Sequence, residues 1–200
     1  NFQTEVCMEE LLKAKAELTE IYGHNLSVNT LITYVVIKVL DEYPYLNAHL
    51  KGDEIILHDN KNIGIAVGRN EKGLIVPVIK NANKMNLRQI EQEAKRLVAL
   101  AREDKLQAED ITGGSFTISN LGLTGIKNFN AIINPPEVGI LAVSATIKQP
   151  FVKGNSIEVA SVMNINLAVD HSVIDGMMAS QFVMRVKELL ESPYSFLANP

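Results

Sequence analysis

The sequence predicts an α/β protein of the α+β two-layer type, in which a mixed sheet has helices packed on one face. Two helix-like runs come early in the chain, at residues 9–22 and from residue 28 to just before Pro44. Several strand-like runs follow, and one more helix-like run, residues 177–191, comes near the end. Helices and strands separated in this way are typical of a sheet covered by helices on one side.

Composition limits the class of protein. Two hundred residues suit one domain, residues 1–200, which can bury roughly 70% of its unfolded surface without disulfides. The net charge of -4 gives no general reason to expect nucleic acid as a partner. Cys7 is the only cysteine, which excludes an internal disulfide or a cysteine-based zinc site. It fits a reducing compartment such as the bacterial cytoplasm or the mitochondrial matrix.

The longest apolar run, residues 28–40, is interrupted by polar side chains. It is too short and too polar to span a bilayer, so no membrane partner is expected. The chain begins with Asn rather than Met, and no signal peptide is visible. We therefore expect a fragment or a processed chain that lacks its targeting information.

The helices carry local start signals. Leucines at 11, 12 and 18 between charged residues predict an amphipathic helix, which the run Gly23-His24-Asn25 ends. Ser27 is the expected N-cap of the second helix, which is apolar on most sides and so expected to be buried. Asn86, with Gln89 three residues on, resembles a capping box ahead of a third helix, residues 87–102.

Strands are predicted between the helices and before the last one. Two glycines in the run from 62 to 69 suggest close backbone approach or a bulge. The same run is predicted to form a hairpin with residues 74–79 through a turn at 71–73. Residues 126–133 are ambiguous, and Pro135-Pro136 ends them. The predicted strands are residues 2–8, 55–57, 62–69, 74–79, 115–120, 139–147 and 157–169.

The stretch 170–176 lies between the last strand and the last helix. A rigid scaffold at such a junction can hold a reactive imidazole, here His171, against a ligand. On spacing alone the simpler interpretation is that Asp175 is the N-cap of the helix and His171 an ordinary loop histidine. The other histidines, His24, His49 and His58, have no metal-ligand spacing, and we expect them at the surface.

Residues 170–176, Asp-His-Ser-Val-Ile-Asp-Gly, resemble the active-site signature of dihydrolipoyl acyltransferases, which form the catalytic core of 2-oxo acid dehydrogenase complexes. Stretches 73–78, 114–122 and 126–136 match the same family in the same order. The likeness covers nearly all of the chain and implies a chloramphenicol-acetyltransferase-like fold. The run Ile-Lys-Asn-Phe at 126–129 is most similar to pyruvate-type members.

The resemblance implies transfer of an acetyl group between dihydrolipoamide and coenzyme A, with coenzyme A as substrate, the lipoyl group presented by a separate lipoyl domain, and no metal. The thiol pKa of roughly 8.5 and the imidazole pKa of roughly 6.5 differ by about two units, a gap that a positioned base can close. His171 is thus expected as base toward the incoming thiol and acid toward the leaving one.

Other site residues are implied by the same resemblance. The Ser119 hydroxyl is expected to donate to the oxyanion; alternatively, Ser119 is a plain strand-end serine. Asp175 is expected to organise the loop; alternatively, it is a plain helix cap. Asn120 and Asn134 are equally compatible with purely structural roles, and Gly176 would allow an unusual backbone angle or close helix approach. The expected supporting residues are Gly176, Asn120 and Asn134, and the expected channel residues are Gly73, Leu74 and Pro77.

The resemblance also implies an assembly. Family subunits form homotrimers, with the active site at the subunit interface, here His171 from one chain and Ser119 from its neighbour. Trimers build cubic or dodecahedral cores that work with lipoyl domains and the other dehydrogenase-complex subunits. The apolar pair Phe196-Leu197 in the C-terminal tail, residues 194–200, is a candidate contact between trimers.

The chain departs from the family at two points. Ser172 stands where the family usually has Arg, so any contact of that guanidinium is absent or supplied elsewhere. The basic N-terminal arm and the lipoyl and subunit-binding domains are absent from this chain. Two alternatives stay open: a small-molecule O-acetyltransferase of the chloramphenicol type, which usually has His rather than Asp170 before the catalytic histidine, and a non-catalytic scaffold subunit.

Overall fold

A mixed seven-stranded sheet forms the centre of the computed structural model, which describes residues 1–23, 25–69 and 72–197. The helices are α1 Glu9–Tyr22, α2 Val28–Glu42, α3 Leu87–Arg102, α4 Gly176–Glu191 and α5 Tyr194–Leu197. The strands are β1 Phe2–Cys7, β2 Ala48–Lys51, β3 Glu54–Leu57, β4 Ile63–Ile65, β5 Val67–Gly68, β6 Leu74–Ile75, β7 Val78–Ile79, β8 Phe116–Asn120, β9 Gly139–Val143, β10 Ile147–Lys153 and β11 Ser156–Val169.

The strand order is β1-β11-β9-β8-β4-β7, and β10 adds to β11. Strand β8 runs parallel to both β4 and β9, whereas the other pairs are antiparallel. Because side chains alternate between the two faces of a strand, β8 presents Phe116 and Ile118 to one face and Thr117 and Ser119 to the other. Phe116 packs against Phe182 of α4, with ring centroids 5.8 Å apart. The predicted mixed sheet with helices on one face is confirmed.

Local signals place the helices correctly. The Ser27 side chain accepts a hydrogen bond from the Thr30 N–H at 3.0 Å and caps α2, and Asn86 and Gln89 form the predicted capping box of α3. The buried Glu91 of α3 reinforces the first cap by accepting from the Ser27 N–H. Burial alone would raise the pKa of Glu91, but hydrogen bonds from Lys95, Thr30 and Ser27 outweigh it and hold the pKa below its ordinary value.

The predicted hairpin of residues 62–69 and 74–79 forms, but each run is divided in two. Strand β4 pairs with β7 in the main sheet, and β5 pairs with β6 in a small separate one. Pro77 lies at the break, where it cannot donate to a ladder. A Cβ on Gly64 would lie 2.6 Å from the Thr117 Oγ1, so the expected close approach is confirmed. Of the predicted turn, Glu71 lies outside the described residues.

Two strands were not predicted. Strand β2 forms a hairpin with β3, and β10 continues from β9 after a break at 144–146 to pair with the first half of β11. The β10–β11 ribbon leaves Val152, Ile157 and Val159 exposed by more than two thirds. No side chain of β10 is fully buried, so its sequence lacks the apolar alternation that reveals a half-buried strand.

The connection between β8 and β9, residues 121–138, crosses the sheet face opposite the helices. Amide groups of β11 hold it there: the Asn164 Nδ2 donates to the Lys127 carbonyl at 2.9 Å, and the Asn166 Nδ2 donates to Phe129 and Asn130. Pro135-Pro136 lies in this connection as a cis peptide. The ambiguous run 126–133 is therefore irregular backbone fixed by side chains of the sheet.

The expected exposure of Phe196 is wrong, whereas its role as a contact between trimers stays a prediction. Helix α5 folds back on the core, where Phe196 is buried with its ring centroid 6.0 Å from that of Tyr34. Leu197 is partly buried against the same core. The last three tail residues, Ala198, Asn199 and Pro200, lie outside the described residues. None of the helices in the described part of the chain combines the length and apolar character needed to cross a bilayer.

Candidate active site

The loop that carries His171 is fixed on both sides by backbone hydrogen bonds. The Asp170 N–H donates to the Val138 carbonyl at 2.9 Å, which ties the end of β11 to β9. The Asp170 carbonyl accepts from the N–H groups of Val173 and Ile174 at 3.1 and 2.9 Å, and the Ile174 side chain is fully buried. The His171 side chain itself is exposed. The turn therefore presents an imidazole outward on an anchored backbone.

Ser172 forms hydrogen bonds to the carboxylate of Asp170, the residue before the histidine. The Asp170 Oδ1 accepts from the Ser172 N–H at 2.9 Å and also from its hydroxyl. These two hydrogen bonds lower the pKa of Asp170, so it carries a negative charge at neutral pH. Ser172, which stands where the resemblance implies an arginine, thus closes the turn locally.

Asp175 is the N-cap of α4. Its Oδ1 accepts from the Met178 N–H at 2.8 Å, as the simpler interpretation of the sequence has it. The special backbone expected at Gly176 is not found. This residue is not among those with positive φ, and a Cβ there would meet Phe2 only at an ordinary 3.7 Å.

Replacing Asp175 with alanine is expected to cost about 1 kcal/mol of unfolding free energy, because the first turn of α4 loses its cap. Asp175→Asn keeps an acceptor and should recover most of that loss. Denaturant unfolding of both variants measures the difference. Equal stability of the alanine variant and the parent would show that the cap contributes nothing.

Ser119 lies near the end of β8, half-buried on the face away from the helices. Within the described residues, no hydrogen bond reaches its hydroxyl or the His171 imidazole, so both groups are free to meet a ligand. The next residue is engaged: the Asn120 Nδ2 donates to the Asn29 Oδ1 at 3.1 Å, and its Oδ1 accepts from the Gly122 N–H at 2.6 Å. Asn120 thus fixes the chain after Ser119.

One chain does not bring Ser119 and His171 together. The sheet register aligns Ser119 with Ala142 of β9, and Ala142 with Asn166 of β11. Asn166 precedes the end of β11 by three residues, roughly 10 Å along the strand, and β8 is two strands away from β11, roughly another 10 Å. Within one protomer the two side chains therefore lie too far apart to contact the same reacting atoms.

The expected channel residues differ in exposure within one protomer, and their role in a channel stays a prediction. Gly73 and Leu74 are exposed at the β5–β6 turn, whereas Pro77 is buried and its carbonyl accepts from the Ile65 N–H. A surface cavity of about 240 Å³ lies elsewhere, between the start of α1 and the end of α4, and contains none of the predicted site residues. Among the described residues, no group of three or more metal-binding side chains comes together.

A buried polar cluster beside the site was not predicted. The expectation that His49 lies at the surface is wrong, because it is 8% exposed and its Nε2 donates to the Gly114 carbonyl at 2.6 Å. His58, also expected at the surface, is half-buried with its ring centroid 4.1 Å from that of His49. Burial, and then the neighbouring His49, lower the pKa of His58. His24 lies outside the described residues.

Glu137 is the charged member of this region. It is 5% exposed, and its carboxyl oxygens meet the Thr117 hydroxyl at 2.6 Å and the Asn134 Nδ2 at 3.2 Å. Burial raises the pKa of Glu137 to about 7, against the opposing effect of these two hydrogen bonds. The sequence signal that could have revealed this buried carboxyl is an acidic residue between Pro135-Pro136 and the apolar strand β9. Asn134, expected to support the site, acts here through Glu137.

The family model for 2-oxoacid dehydrogenases acyltransferase (catalytic domain) matches residues 1–198. The chain belongs to this acyltransferase family. It is 40% identical over 190 residues to the dihydrolipoyllysine-residue acetyltransferase component of the pyruvate dehydrogenase complex of Rickettsia felis, covering 93% of this chain and 46% of the relative. It is 38% identical over 187 residues to the succinyltransferase component of the 2-oxoglutarate dehydrogenase complex of Rickettsia bellii, covering 94% and 46%. The chain thus spans about half the length of the curated relatives it matches.

Solved structures show the same acyltransferase fold. The Azotobacter vinelandii dihydrolipoamide acetyltransferase superposes with a TM-score of 0.90 at 34% identity, covering 98% of this chain and 82% of that one. A cubic core of the pyruvate dehydrogenase multienzyme complex gives 0.91 at 34% identity, with the same coverages. A chloramphenicol acetyltransferase gives 0.61 at 18% identity, covering 94% and 86%, which confirms the predicted fold alone.

The Azotobacter enzyme has been studied for the role of a serine, a histidine and an asparagine in its catalytic mechanism. Its serine and histidine have the same separation as Ser119 and His171, and its asparagine has the same spacing from its histidine as Asp175 has from His171. Aspartate and asparagine are both good N-caps, so the helix-capping role suits either residue.

Proposed function

We propose that this chain is the catalytic core of an acyltransferase that moves an acetyl group between dihydrolipoamide and coenzyme A. The observation that carries the proposal is an exposed imidazole at His171, without a hydrogen bond from the described residues, on a backbone fixed from both sides. The matching separation of Ser119 and His171 in the Azotobacter acetyltransferase supports the same reaction.

The chemistry needs a base, an acid and an oxyanion donor. The His171 imidazole takes the proton of the incoming thiol, whose sulfur then attacks the thioester carbonyl. The carbonyl oxygen becomes an oxyanion, to which the Ser119 hydroxyl donates. When the tetrahedral species collapses, His171 returns the proton to the leaving sulfur, so one imidazole serves both directions of the transfer.

The site is proposed to form between two chains of a homotrimer. The sheet register separates Ser119 and His171 within one protomer, and neither functional group has a hydrogen-bond partner among the described residues. Similarity to a cubic pyruvate dehydrogenase core supports further assembly of trimers into a large particle. The two thiol substrates are then proposed to enter the shared cleft from opposite ends.

The lipoyl group is proposed to come from a separate lipoyl domain, because relatives of this chain are named for a dihydrolipoyllysine residue as their substrate. The other dehydrogenase-complex subunits would then act on that same lipoyl group. A dithiol substrate suits a reducing compartment, such as the bacterial cytoplasm or the mitochondrial matrix.

An acyl-transfer assay tests the function and its alternatives. The assembled protein is given dihydrolipoamide with acetyl-CoA or succinyl-CoA, and separately chloramphenicol with acetyl-CoA. We expect transfer to dihydrolipoamide, faster with acetyl-CoA than with succinyl-CoA, and none to chloramphenicol. Faster succinyl transfer would identify succinyl as the acyl group instead. We include succinyl-CoA because the chain is also similar to a succinyltransferase component. No transfer from either donor would support the scaffold alternative.

A further inference from the structure

Glu137 lies where the crossover connection rejoins the sheet. Its carboxyl contacts Thr117 of β8 and Asn134 of the crossover, and its backbone forms an isolated antiparallel bridge with His49 of β2. A Cβ on Gly114 would lie 2.7 Å from the Glu137 Oε1, so the glycine leaves room for this carboxyl. The group is thus built into the junction of three segments.

These contacts reach both halves of the proposed site. Thr117 precedes Ser119 by two residues and therefore lies on the same face of β8. Val138, the residue after Glu137, accepts the Asp170 N–H at 2.9 Å, immediately before His171. Displacement of Glu137 would therefore move the Ser119 strand and the His171 loop relative to the sheet.

We propose that Glu137 is a positioning residue of the acyltransferase, which joins the strand of Ser119 to the loop of His171. This inference rests on the proposed function. Glu137 contacts neither substrate; it acts through Thr117 and through the Val138 carbonyl. In each protomer, Glu137 positions the Ser119 of one site and the His171 of the neighbouring site.

The protonation state of Glu137 controls this link. Burial raises its pKa to about 7, so the carboxyl is neutral below that pH and charged above it. A buried carboxylate without a cationic partner is unfavourable, and its ionisation should draw the group toward water and loosen the junction. The titratable side chains on the surrounding elements are His49 on β2, His58 after β3, Lys80 near Gly113, and Asp170 after β11.

Thermal stability gives a readout that does not need activity. The folded pKa of about 7 exceeds the ordinary value of 4.5, so the folded chain binds this proton more tightly than the unfolded chain. Glu137 therefore lowers stability as pH rises from 4.5 to 7, and adds no further change above that range. Glu137→Gln, which is neutral at every pH, should remove this contribution.

The decisive experiment compares Glu137→Gln, Glu137→Ala and a control, Leu97→Ala, in the assembled protein. Glutamine keeps both contacts, because its oxygen can accept from Asn134 and its amide can donate to the Thr117 hydroxyl. Alanine removes both, and misplacement of about 1 Å can cost about 100-fold in rate. Leu97 is fully buried in α3, away from the site, so its truncation destabilises the fold without touching this junction.

We expect kcat to fall by about 100-fold in Glu137→Ala, and to stay near the parent value in Glu137→Gln at pH 6 and in Leu97→Ala. The kcat of the parent divided by that of Glu137→Gln should fall as pH rises through 7. The melting temperature of the parent minus that of Glu137→Gln should fall with it. A flat ratio, or a Glu137→Ala enzyme as active as Leu97→Ala, would overturn the inference while leaving the proposed function intact. A parent protein that transfers no acetyl group would overturn both.

Discussion

Replacing His171 with alanine is expected to lower kcat for acetyl transfer by about 10³-fold, within the range that one general acid–base group supplies. The thiol would then have to lose its proton to water, and the leaving sulfur would lack its acid. His171→Asn should lose as much, because an amide has a similar shape but cannot take the proton. Steady-state assays over a range of coenzyme A concentrations separate this loss in kcat from any change in KM.

The fold should not respond to these changes. The His171 side chain is exposed and without a hydrogen bond in the described part of the chain, while the turn is held by the backbone of Asp170 and by Ile174. Melting temperature and particle size should match those of the parent protein. Turnover near the parent level in a well-folded His171→Ala protein would remove the histidine from the mechanism.

Replacing Ser119 with alanine is expected to lower kcat by about 100-fold or more, the usual effect of removing one oxyanion donor. The serine hydroxyl is already oriented by β8 and has no partner among the described residues to release. Because it would bind the oxyanion rather than the ground-state carbonyl, KM should change little. The effect is therefore expected mainly in kcat.

Ser195→Ala provides a matched control for the serine. Ser195 is exposed beyond the end of α4, where its hydroxyl donates to the Ser192 carbonyl, and no hydrogen bond among the described residues connects it with the site. It should keep the parent kcat. If Ser119→Ala also keeps it, the hydroxyl is only a strand-end group, and the backbone must supply the donor instead.

The features that the sequence predicted well are local ones. Ser27 before an apolar helix and the Asn86–Gln89 pair each hold their own cap by short-range hydrogen bonds, which the side chains determine almost alone. Asp175 at the start of α4 is another such case. Local chemistry of this kind is readable without knowing what packs against it.

The features that were missed depend on distant parts of the chain. His49 is buried because β2 packs beside Glu137 and its imidazole meets the Gly114 carbonyl, contacts that span 88 and 65 residues. Phe196 is buried because α5 returns to α2. Neither position has a periodic pattern around it, so the sequence could not show which side of the chain would be covered.

For the site itself, the sequence predicted which residues take part but not how they are arranged. The motif at 170–176 located His171, and the resemblance located Ser119. The sheet register then shows that the two are separated within one protomer, which no property of the motif could show on its own. Ser172 is engaged with Asp170, an arrangement that depends on the turn and could not be read from the sequence.

The shared site is tested most directly by mixing His171→Ala and Ser119→Ala subunits, dissociated and reassembled together. In a random mixture, about a quarter of the interfaces of a cyclic trimer pair an intact histidine with an intact serine. We predict recovery of about a quarter of the parent kcat from two nearly inactive proteins. Reassembled mixtures that stay as inactive as either variant alone would contradict a site formed between two chains.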